Sequence, residues 1–285
     1  MKAKRIDGKM ISDTIKAEFK QQAQKLQRQG IVPCLAVVLV GDDAASKIYV
    51  KNKEKACALV GITSKMYTLP ENATEQEVLT LIGKLNEDTS VNGVLVQLPL
   101  PAHIDEEKVI LAVSPIKDVD CFHPLNVGML HTNKKGFLPC TPAGILELIT
   151  RSGYEIAGKH CVVIGRSHHV GKPTAMLLLQ KDATVTICHS KTKNLKEICK
   201  QADIIVSAVG KMHMVTADMV KEGAIVIDVG MNRDENGKLC GDVDFDSVEP
   251  VCSAITPVPG GVGPMTIAML MNNCLESVSL QAVRG

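Results

Sequence analysis

Short apolar runs alternate with helix-length polar segments along this chain, and that alternation restricts the fold more than any other feature. Cys34-Leu-Ala-Val-Val-Leu-Val40 is apolar throughout and stops at Gly41. Such a run suits a strand buried on both faces of a parallel sheet. Further strand candidates are 64–69, 93–98, 161–164, 183–188, 203–209 and 224–229. Between them lie helix candidates at 12–29, closed by Gly30, at 44–60 and at 174–180. Another runs to about 88, with Thr74 as its cap and Glu77 as the capping-box partner. Strands separated by helices imply βαβ units and an α/β fold.

The stretch 114–139 breaks this pattern. It has no clear periodicity and holds Pro115, Pro124, Gly128, Gly136 and Pro139, so it reads as a loop-rich connector. Thr141-Pro142 then opens a helix to about Arg151, and the alternation restarts. A boundary near residue 140 therefore separates two α/β domains, 1–139 and 140–285. A final helix from Met265 to about Ser279 could pack on either.

Composition excludes several function classes. Lys+Arg 32 against Asp+Glu 31 leaves no field that would recruit nucleic acid or an anionic membrane. With no Trp, 3 Tyr and 4 Phe, stacking platforms for bases are scarce. No apolar run approaches the roughly 20 residues of a membrane span, and the opening residues lack the apolar core of a signal peptide. The ten cysteines never fall within four residues of one another, so zinc-ribbon and thioredoxin spacings are absent. Cys34, Cys161 and Cys188 sit in apolar runs, as core thiols of a reducing, cytoplasmic compartment do.

The run His160-Cys-Val-Val-Ile-Gly165 leads through Arg166-Ser167-His168-His169-Val170 to Gly171 and an apolar helix. A glycine turn between strand and helix can present backbone N–H groups and the helix dipole to a pyrophosphate. Only two glycines of the three-glycine fingerprint are present, with Ser167 at the middle position, so a turn without a ligand is the competing reading. The next strand ends in His189-Ser190-Lys191-Thr192, where NAD sites usually carry an acidic residue. A carboxylate there would repel a 2′-phosphate, whereas Arg166, Ser190 and Lys191 can bind one. NADP is thus favoured over NAD.

Lys47, Lys51 and Lys55 repeat every four residues as a solvent stripe. Lys53 is turned about 200° from Lys51 and shares its face with Tyr49, and Ser46 lies a turn before Tyr49. A lysine so placed is either snorkelling or functional. In a dry cleft, a lysine becomes accessible as a neutral amine and can act as general acid and base. Gln97 ends a buried strand at the edge where α/β sheets bind ligands, and could orient that lysine without adding charge. Asp118 and Asp120 lie in the connector, either as carboxylate acceptors for a ligand or as ordinary loop residues.

Five segments, in order, resemble the bifunctional methylenetetrahydrofolate dehydrogenase/methenyltetrahydrofolate cyclohydrolase family. They are Ser46-x-x-Tyr49-x-x-x-Lys53, Val96-Gln97-Leu98-Pro99-Leu100-Pro101, Lys117-Asp118-Val119-Asp120, Gly165-Arg166-Ser167-x-x-Val170-Gly171-x-Pro173, and the long Pro257-Val258-Pro259-Gly260-Gly261-Val262-Gly263-Pro264-Met265-Thr266. The resemblance covers essentially the whole chain. It implies an N-terminal α/β folate-binding catalytic domain and a C-terminal Rossmann-type NAD(P)-binding domain with a cleft between them. It also implies a homodimer that needs no metal and acts on one-carbon tetrahydrofolates.

By the same resemblance, Lys53 is the central residue of the hydrolytic step, Tyr49 stacks on the folate and Gln97 orients Lys53. Asp120 holds the pterin's amino edge. Ser46 and Leu98 join them as substrate contacts, with Pro259, Gly260, Gly261 and Gly263 lining the folate and nicotinamide end. Gly165, Arg166, Ser167, Gly171, Ser190, Lys191 and Met231 are the cofactor positions. Two residues depart from the family pattern. Cys121 stands where Gly is common, and would be strained if a positive φ is needed. Met231 replaces a commoner Ile, a tolerable volume change. The competing expectations are a dehydrogenase without the hydrolase, a Rossmann oxidoreductase of the shikimate-dehydrogenase type, and a dinucleotide-binding regulator. Retention of Lys53 and Gln97, the Pro-Gly-Gly turn and the Tyr49–Lys53 pair argue against them in turn.

Overall fold

The computed structural model describes residues 3–282. The chain begins with β1 (Lys4–Arg5), α1 (Gly8–Arg28), β2 (Cys34–Val40), α2 (Ala44–Val60), β3 (Thr63–Leu69), α3 (Glu75–Glu87) and β4 (Gly93–Val96). Helices α4 (Glu106–Ala112), α5 (Pro124–His131) and α6 (Cys140–Arg151) follow. The alternation then resumes with β5 (His160–Ile164), α7 (Gly171–Leu179), β6 (Thr184–Cys188), α8 (Leu195–Cys199), β7 (Ile204–Ser207) and β8 (Ile225–Asp228). The chain ends with β9 (Asn232–Arg233), β10 (Leu239–Cys240), α9 (Phe245–Val248), β11 (Ala254–Ile255) and α10 (Val262–Ala282).

Two compact units result. One contains the chain up to Asp13 together with Thr141–Thr266, and the other contains Thr14–Cys140 together with the chain from Ile267 onward. Each unit thus draws one terminal segment from across residue 140. The start of the chain joins the later unit because β1 pairs in parallel with β11, Lys4 opposite Ala254 and Arg5 opposite Ile255. The end of the chain joins the earlier unit through buried and half-buried polar contacts. Asn273 donates to the Val119 and Leu138 carbonyls at 2.8 Å each, and Gln281 to the Asn92 carbonyl at 2.7 Å.

The three-stranded unit has the order β3-β2-β4, with both pairings parallel. Central β2 is buried along all seven residues, which is why its sequence is apolar without alternation. Ala36, Val38 and Val40 pack with Val78 and Ile82 of α3, Val94 of β4 and Val109 of α4. Burying a side chain such as Ile82 stabilises by roughly 1.5–3 kcal/mol relative to exposure. The six-stranded unit has the order β1-β11-β8-β7-β5-β6, all parallel. Its core gathers Val162, Ile164, Ile205, Val226 and Ile255 with Val215 and Val248.

The connector is more ordered than its proline and glycine content suggests. Pro124 is the first residue of α5, where its missing N–H costs nothing. His123 Nδ1 accepts the Leu125 N–H at 3.1 Å as the cap. The start of α1 lies four residues earlier than the periodicity placed it, with Asp7 Oδ1 accepting the Met10 N–H at 2.9 Å. The capping box of α3 forms, Thr74 and Glu77 each accepting the other's backbone N–H.

All ten cysteines are free thiols, and nine are buried, Cys240 alone being intermediate. Burial pushes the pKa of Cys57, Cys161 and Cys199 up to about 12 and so removes the reactive thiolate. A thiol reagent should therefore label about one cysteine per native chain and all ten after denaturation. Rapid labelling of four or more native thiols would contradict this burial.

Candidate active site

In the three-stranded unit, β3 and β4 flank β2 on opposite sides. The order in which the strands are laid down thus reverses at β2, and such reversals open a crevice at the carboxyl ends of the strands. Helix α2 rises from that edge. The Asp43 carboxylate accepts the Ser46 N–H at 2.7 Å to start it, and Gly61 ends it in the left-handed region at φ +94°. Lys47, Lys51 and Lys55 are exposed on α2, whereas Ser46 is buried and Tyr49 and Lys53 are half-buried. Lys53 Nζ donates to Gln97 Oε1 at 3.0 Å, just beyond the end of β4. The Gln97 amide is held by its other end, Nε2 donating to the Leu98 carbonyl at 2.6 Å. That second bond aims the amide oxygen at the ammonium. The Leu98–Pro99 peptide is cis.

The Lys117-Asp118-Val119-Asp120 segment runs beside β4, with Asp118 bridged to Val94. Its first two charged residues are committed to structure. Lys117 Nζ donates to the Leu85 carbonyl at 2.9 Å and the Asp88 carbonyl at 2.8 Å. Asp118 accepts the His123 N–H at 2.9 Å, the Asn126 side chain at 2.8 Å and the Phe122 N–H at 3.3 Å. Asp120 is different. Cys140 Sγ lies 4.0 Å from its Oδ1, and Asp120 shares a narrow pocket with Val96, Leu98, Ile110, Asp118 and Phe122. Burial pushes its pKa up to about 6, with Lys53 pulling it down and Asp118 pushing it further up.

Cys121 adopts φ +61°, so this position does use the left-handed region that glycine tolerates best. A left-handed conformation costs a non-glycine residue roughly 1–2 kcal/mol. Its thiol donates to the Phe137 carbonyl at 3.2 Å. The carboxylate of Asp120 still reaches its pocket despite the cysteine.

In the six-stranded unit the order reverses at β5, with β6 on one side and β7 on the other. The strand-to-helix turn at this switch point carries Gly165 and Gly171. Gly165 has φ +122°, and a Cβ there would overlap the Ala208 carbonyl oxygen in the segment leaving β7. A Cβ on Gly171 would overlap the Gly165 carbonyl. Ser167, in place of the middle glycine, turns its Oγ to accept the Val170 and Gly171 N–H groups at 3.2 Å each. Arg166 is exposed just after β5, and Ser190 and Lys191 are exposed just after β6. Their turn is fixed by His189, whose N–H donates to Thr192 Oγ1 at 2.8 Å and whose Nδ1 accepts the Lys191 N–H at 3.1 Å. Met231, 52% exposed, follows β8 at the same edge.

A glycine cradle that a side chain would fill, beside cationic and hydroxyl donors and no carboxylate between residues 189 and 194, suits a dinucleotide bearing a 2′-phosphate. A roomier depression lined by Tyr154, Lys159, Asp203, Lys221 and Ser253 lies at the opposite, amino ends of β7 and β8. It contains none of these groups.

The Pro259-Gly260-Gly261-Val262-Gly263 turn links β11 to α10 within the six-stranded unit. The Gly260 carbonyl accepts the Lys9 N–H at 3.1 Å, and Ser12 Oγ donates to the Pro264 carbonyl at 3.0 Å. The structure thus groups Ser46, Tyr49, Lys53, Gln97, Leu98 and Asp120 in one unit. It groups Gly165, Arg166, Ser167, Gly171, Ser190, Lys191 and Met231 with Pro259, Gly260, Gly261 and Gly263 in the other. Among the described residues, no cluster of three or more His, Cys, Asp or Glu side chains is placed to hold a metal ion, and no helix is long and apolar enough to cross a membrane.

Three residues at these edges went unread in the sequence. Asn273 secures the backbone before Asp120 through its bond to the Val119 carbonyl. Asp228 and Asp242 are buried carboxylates at the carboxyl edge of the six-stranded sheet. Burial pushes the Asp228 pKa up to about 6, against the pull of the Val243, Asp242 and Gly230 N–H groups. A polar residue inside an otherwise apolar strand end, Ile225-Val-Ile-Asp228, was the signal available for Asp228.

Family models place the chain among known proteins. The catalytic-domain model of tetrahydrofolate dehydrogenase/cyclohydrolase matches residues 6–120, and the NAD(P)-binding-domain model of the same family matches residues 139–282. The bifunctional protein FolD of Agathobacter rectalis is 60% identical, covering 96% of this chain and 98% of its own. The crystal structure of the bifunctional FolD enzyme from Campylobacter jejuni superposes with a TM-score of 0.96 at 51% identity, covering 98% of this chain and 99% of that one. The Trypanosoma brucei dehydrogenase-cyclohydrolase, solved with NADP cofactor and an inhibitor, gives a TM-score of 0.94 at 39% identity over 100% of both chains. This chain belongs to the tetrahydrofolate dehydrogenase/cyclohydrolase family.

Proposed function

We propose that this chain oxidises 5,10-methylene-tetrahydrofolate to 5,10-methenyl-tetrahydrofolate with NADP and then hydrolyses the product to 10-formyl-tetrahydrofolate. The observation that carries this reading is the half-buried Lys53, held by Gln97 at 3.0 Å at the carboxyl edge of β4. When bound, NADP supplies the acceptor for the hydride that leaves the one-carbon bridge. Gly165 and Gly171 keep the turn beside β5 clear for the pyrophosphate, and Ser167 orders that turn. Arg166, Ser190 and Lys191 hold the 2′-phosphate, with Met231 as an apolar contact.

Oxidation leaves a cationic methenyl bridge, which water attacks. The attacking water must lose a proton and the departing ring nitrogen must gain one, so a single amine at the bridge can serve both transfers. Lys53 is that group. Gln97 orients it without altering the local charge, Tyr49 stacks on the folate, and Ser46 and Leu98 complete the wall. Asp120 accepts the pterin's amino edge. Pro259, Gly260, Gly261 and Gly263 provide further folate contacts. On this reading 1–139 supplies the folate-handling side chains, and 140–285 supplies the cofactor residues together with the 259–263 turn. We place the enzyme in the cytoplasm as a homodimer, supplying formyl groups for purine biosynthesis.

Asp120 makes the reading pH-sensitive. An acceptor must be ionised, and its raised pKa of about 6 means that the ionised form is lost as pH falls through that value. The kcat/KM for the folate should fall about tenfold per pH unit below 6, since that ratio reports groups of the free enzyme. Asp120→Asn should remove this limb along with most of the activity. A flat profile from pH 7 to 5 would exclude an ionised Asp120 from substrate binding.

The function itself is tested by supplying purified protein with methylene-tetrahydrofolate and either nicotinamide cofactor. NADP should be reduced at least about tenfold more efficiently than NAD, as expected where cations replace the usual carboxylate. Reduction of neither cofactor would sink the assignment.

A further inference from the structure

Asp242 is fully buried, yet it lies in a short loop between β10 and α9, far in sequence from the groups it touches. Its two oxygens accept five hydrogen bonds. Oδ2 takes the Val209 N–H at 2.8 Å, the Gly210 N–H at 3.3 Å and the Ser207 hydroxyl at 3.3 Å. Oδ1 takes the Lys211 N–H at 2.9 Å and the Asn232 side-chain amide at 3.0 Å. The first four donors form one continuous segment leaving the carboxyl end of β7. The fifth sits next to Met231, on the segment leaving β8.

Asp242 is itself held by a second carboxylate. Asp228, at the end of β8, accepts the backbone N–H groups of Asp242 at 2.9 Å and Val243 at 3.0 Å. A Cβ on Gly241 would overlap the Asp228 carboxylate, and one on Gly230 would overlap the Asp242 backbone and side chain. The close approach is therefore built into the chain on both sides.

These bonds act at a particular place. The segment that Asp242 gathers contains Ala208, whose carbonyl oxygen abuts Gly165 at the switch point between β5 and β7. Ligands of such sheets bind in the crevice at that reversal. We propose that Asp242 is a positioning residue for the dinucleotide: it fixes the β7 and β8 exit segments as one wall of the cofactor pocket and so sets NADP affinity without touching the reacting atoms. This deepens the NADP reading above and rests on it.

All five partners are donors, so a side-chain amide at this position must aim its own NH2 at some of them. Asp242→Asn should therefore loosen the wall while preserving volume. Three quantities would be measured for wild type and variant: the Kd of NADP by calorimetry, the thermal shift that NADP induces, and the hydrolysis of methenyl-tetrahydrofolate without cofactor. The expected result is at least a tenfold weaker Kd and loss of the NADP-induced shift, with hydrolysis within about twofold of wild type. Unchanged NADP binding in folded Asp242→Asn would overturn the inference, as would a parallel loss of hydrolysis and stability with the Kd preserved.

If that variant does not fold, Asn232→Ala removes one donor and leaves the carboxylate. It should weaken NADP about threefold, and an unchanged Kd there would equally overturn the proposal. Wild-type protein that binds no NADP would instead refute the cofactor reading on which the proposal rests.

Discussion

Lys53→Met is expected to lower methenyl-tetrahydrofolate hydrolysis by about a thousandfold while leaving NADP-dependent oxidation within about tenfold of wild type. Methionine keeps the length and flexibility of the lysine stem but can carry no proton. Positioned acid–base catalysis contributes roughly 10²–10⁴ in rate, so its removal should fall in that range. Oxidation needs the substrate held but no proton moved by this amine, which is why the first reaction survives. In a progress curve the variant should therefore accumulate the methenyl chromophore. Lys53→Arg separates charge from proton transfer, because a guanidinium keeps its proton. Near-normal hydrolysis by the Arg variant would assign Lys53 an electrostatic role, and full hydrolysis by the Met variant would remove it from the mechanism.

Gly165→Ala should give the opposite pattern. The added Cβ would overlap the Ala208 carbonyl oxygen, and the residue would be held at φ +122°, a region L-residues rarely enter. Backbone strain of that kind costs on the order of 1–3 kcal/mol, and separating Gly165 from the β7 exit segment adds to it. The strain falls on the turn proposed to meet the pyrophosphate, so NADP should bind at least about a hundredfold more weakly. Dehydrogenase turnover should be lost at ordinary NADP concentrations. Hydrolysis should persist, because Lys53, Gln97 and Asp120 belong to the other compact unit. A near-wild-type Kd for NADP in Gly165→Ala would place the cofactor elsewhere.

The parts of this molecule that were legible in the sequence are those governed by local periodicity. The apolar run 34–40 is β2 to the residue, because a strand buried on both faces shows no polar alternation. The inward face of α2 could be seen because Lys53 breaks the four-residue lysine stripe. Helix α5 was hidden: Pro124 and Gly128 look like loop punctuation unless Pro124 is recognised as a first helical residue. Strands β1 and β11, two residues each, exist only through pairing with neighbours distant in sequence.

The site divides in the same way. Gly165, Gly171 and Lys53 lie on regular elements with motif spacing, so they stand out. The distinction between Asp118 and Asp120 was not readable, because it depends on which of them the connector's own N–H groups consume. Asp242 was further from view. Its donors lie 31–35 residues earlier for the β7 segment and 10 for Asn232, and a lone Gly-Asp in a loop looks like a turn.

The most direct test that one chain performs both reactions in sequence is a single progress curve on the wild-type enzyme. Methylene-tetrahydrofolate and NADP are supplied, and reduced nicotinamide and methenyl absorbance are recorded together. Reduced nicotinamide should rise steadily while the methenyl signal stays low, with 10-formyl-tetrahydrofolate as the accumulating product. A methenyl signal that climbs in step with reduced nicotinamide, decaying only at its uncatalysed rate, would contradict a bifunctional enzyme.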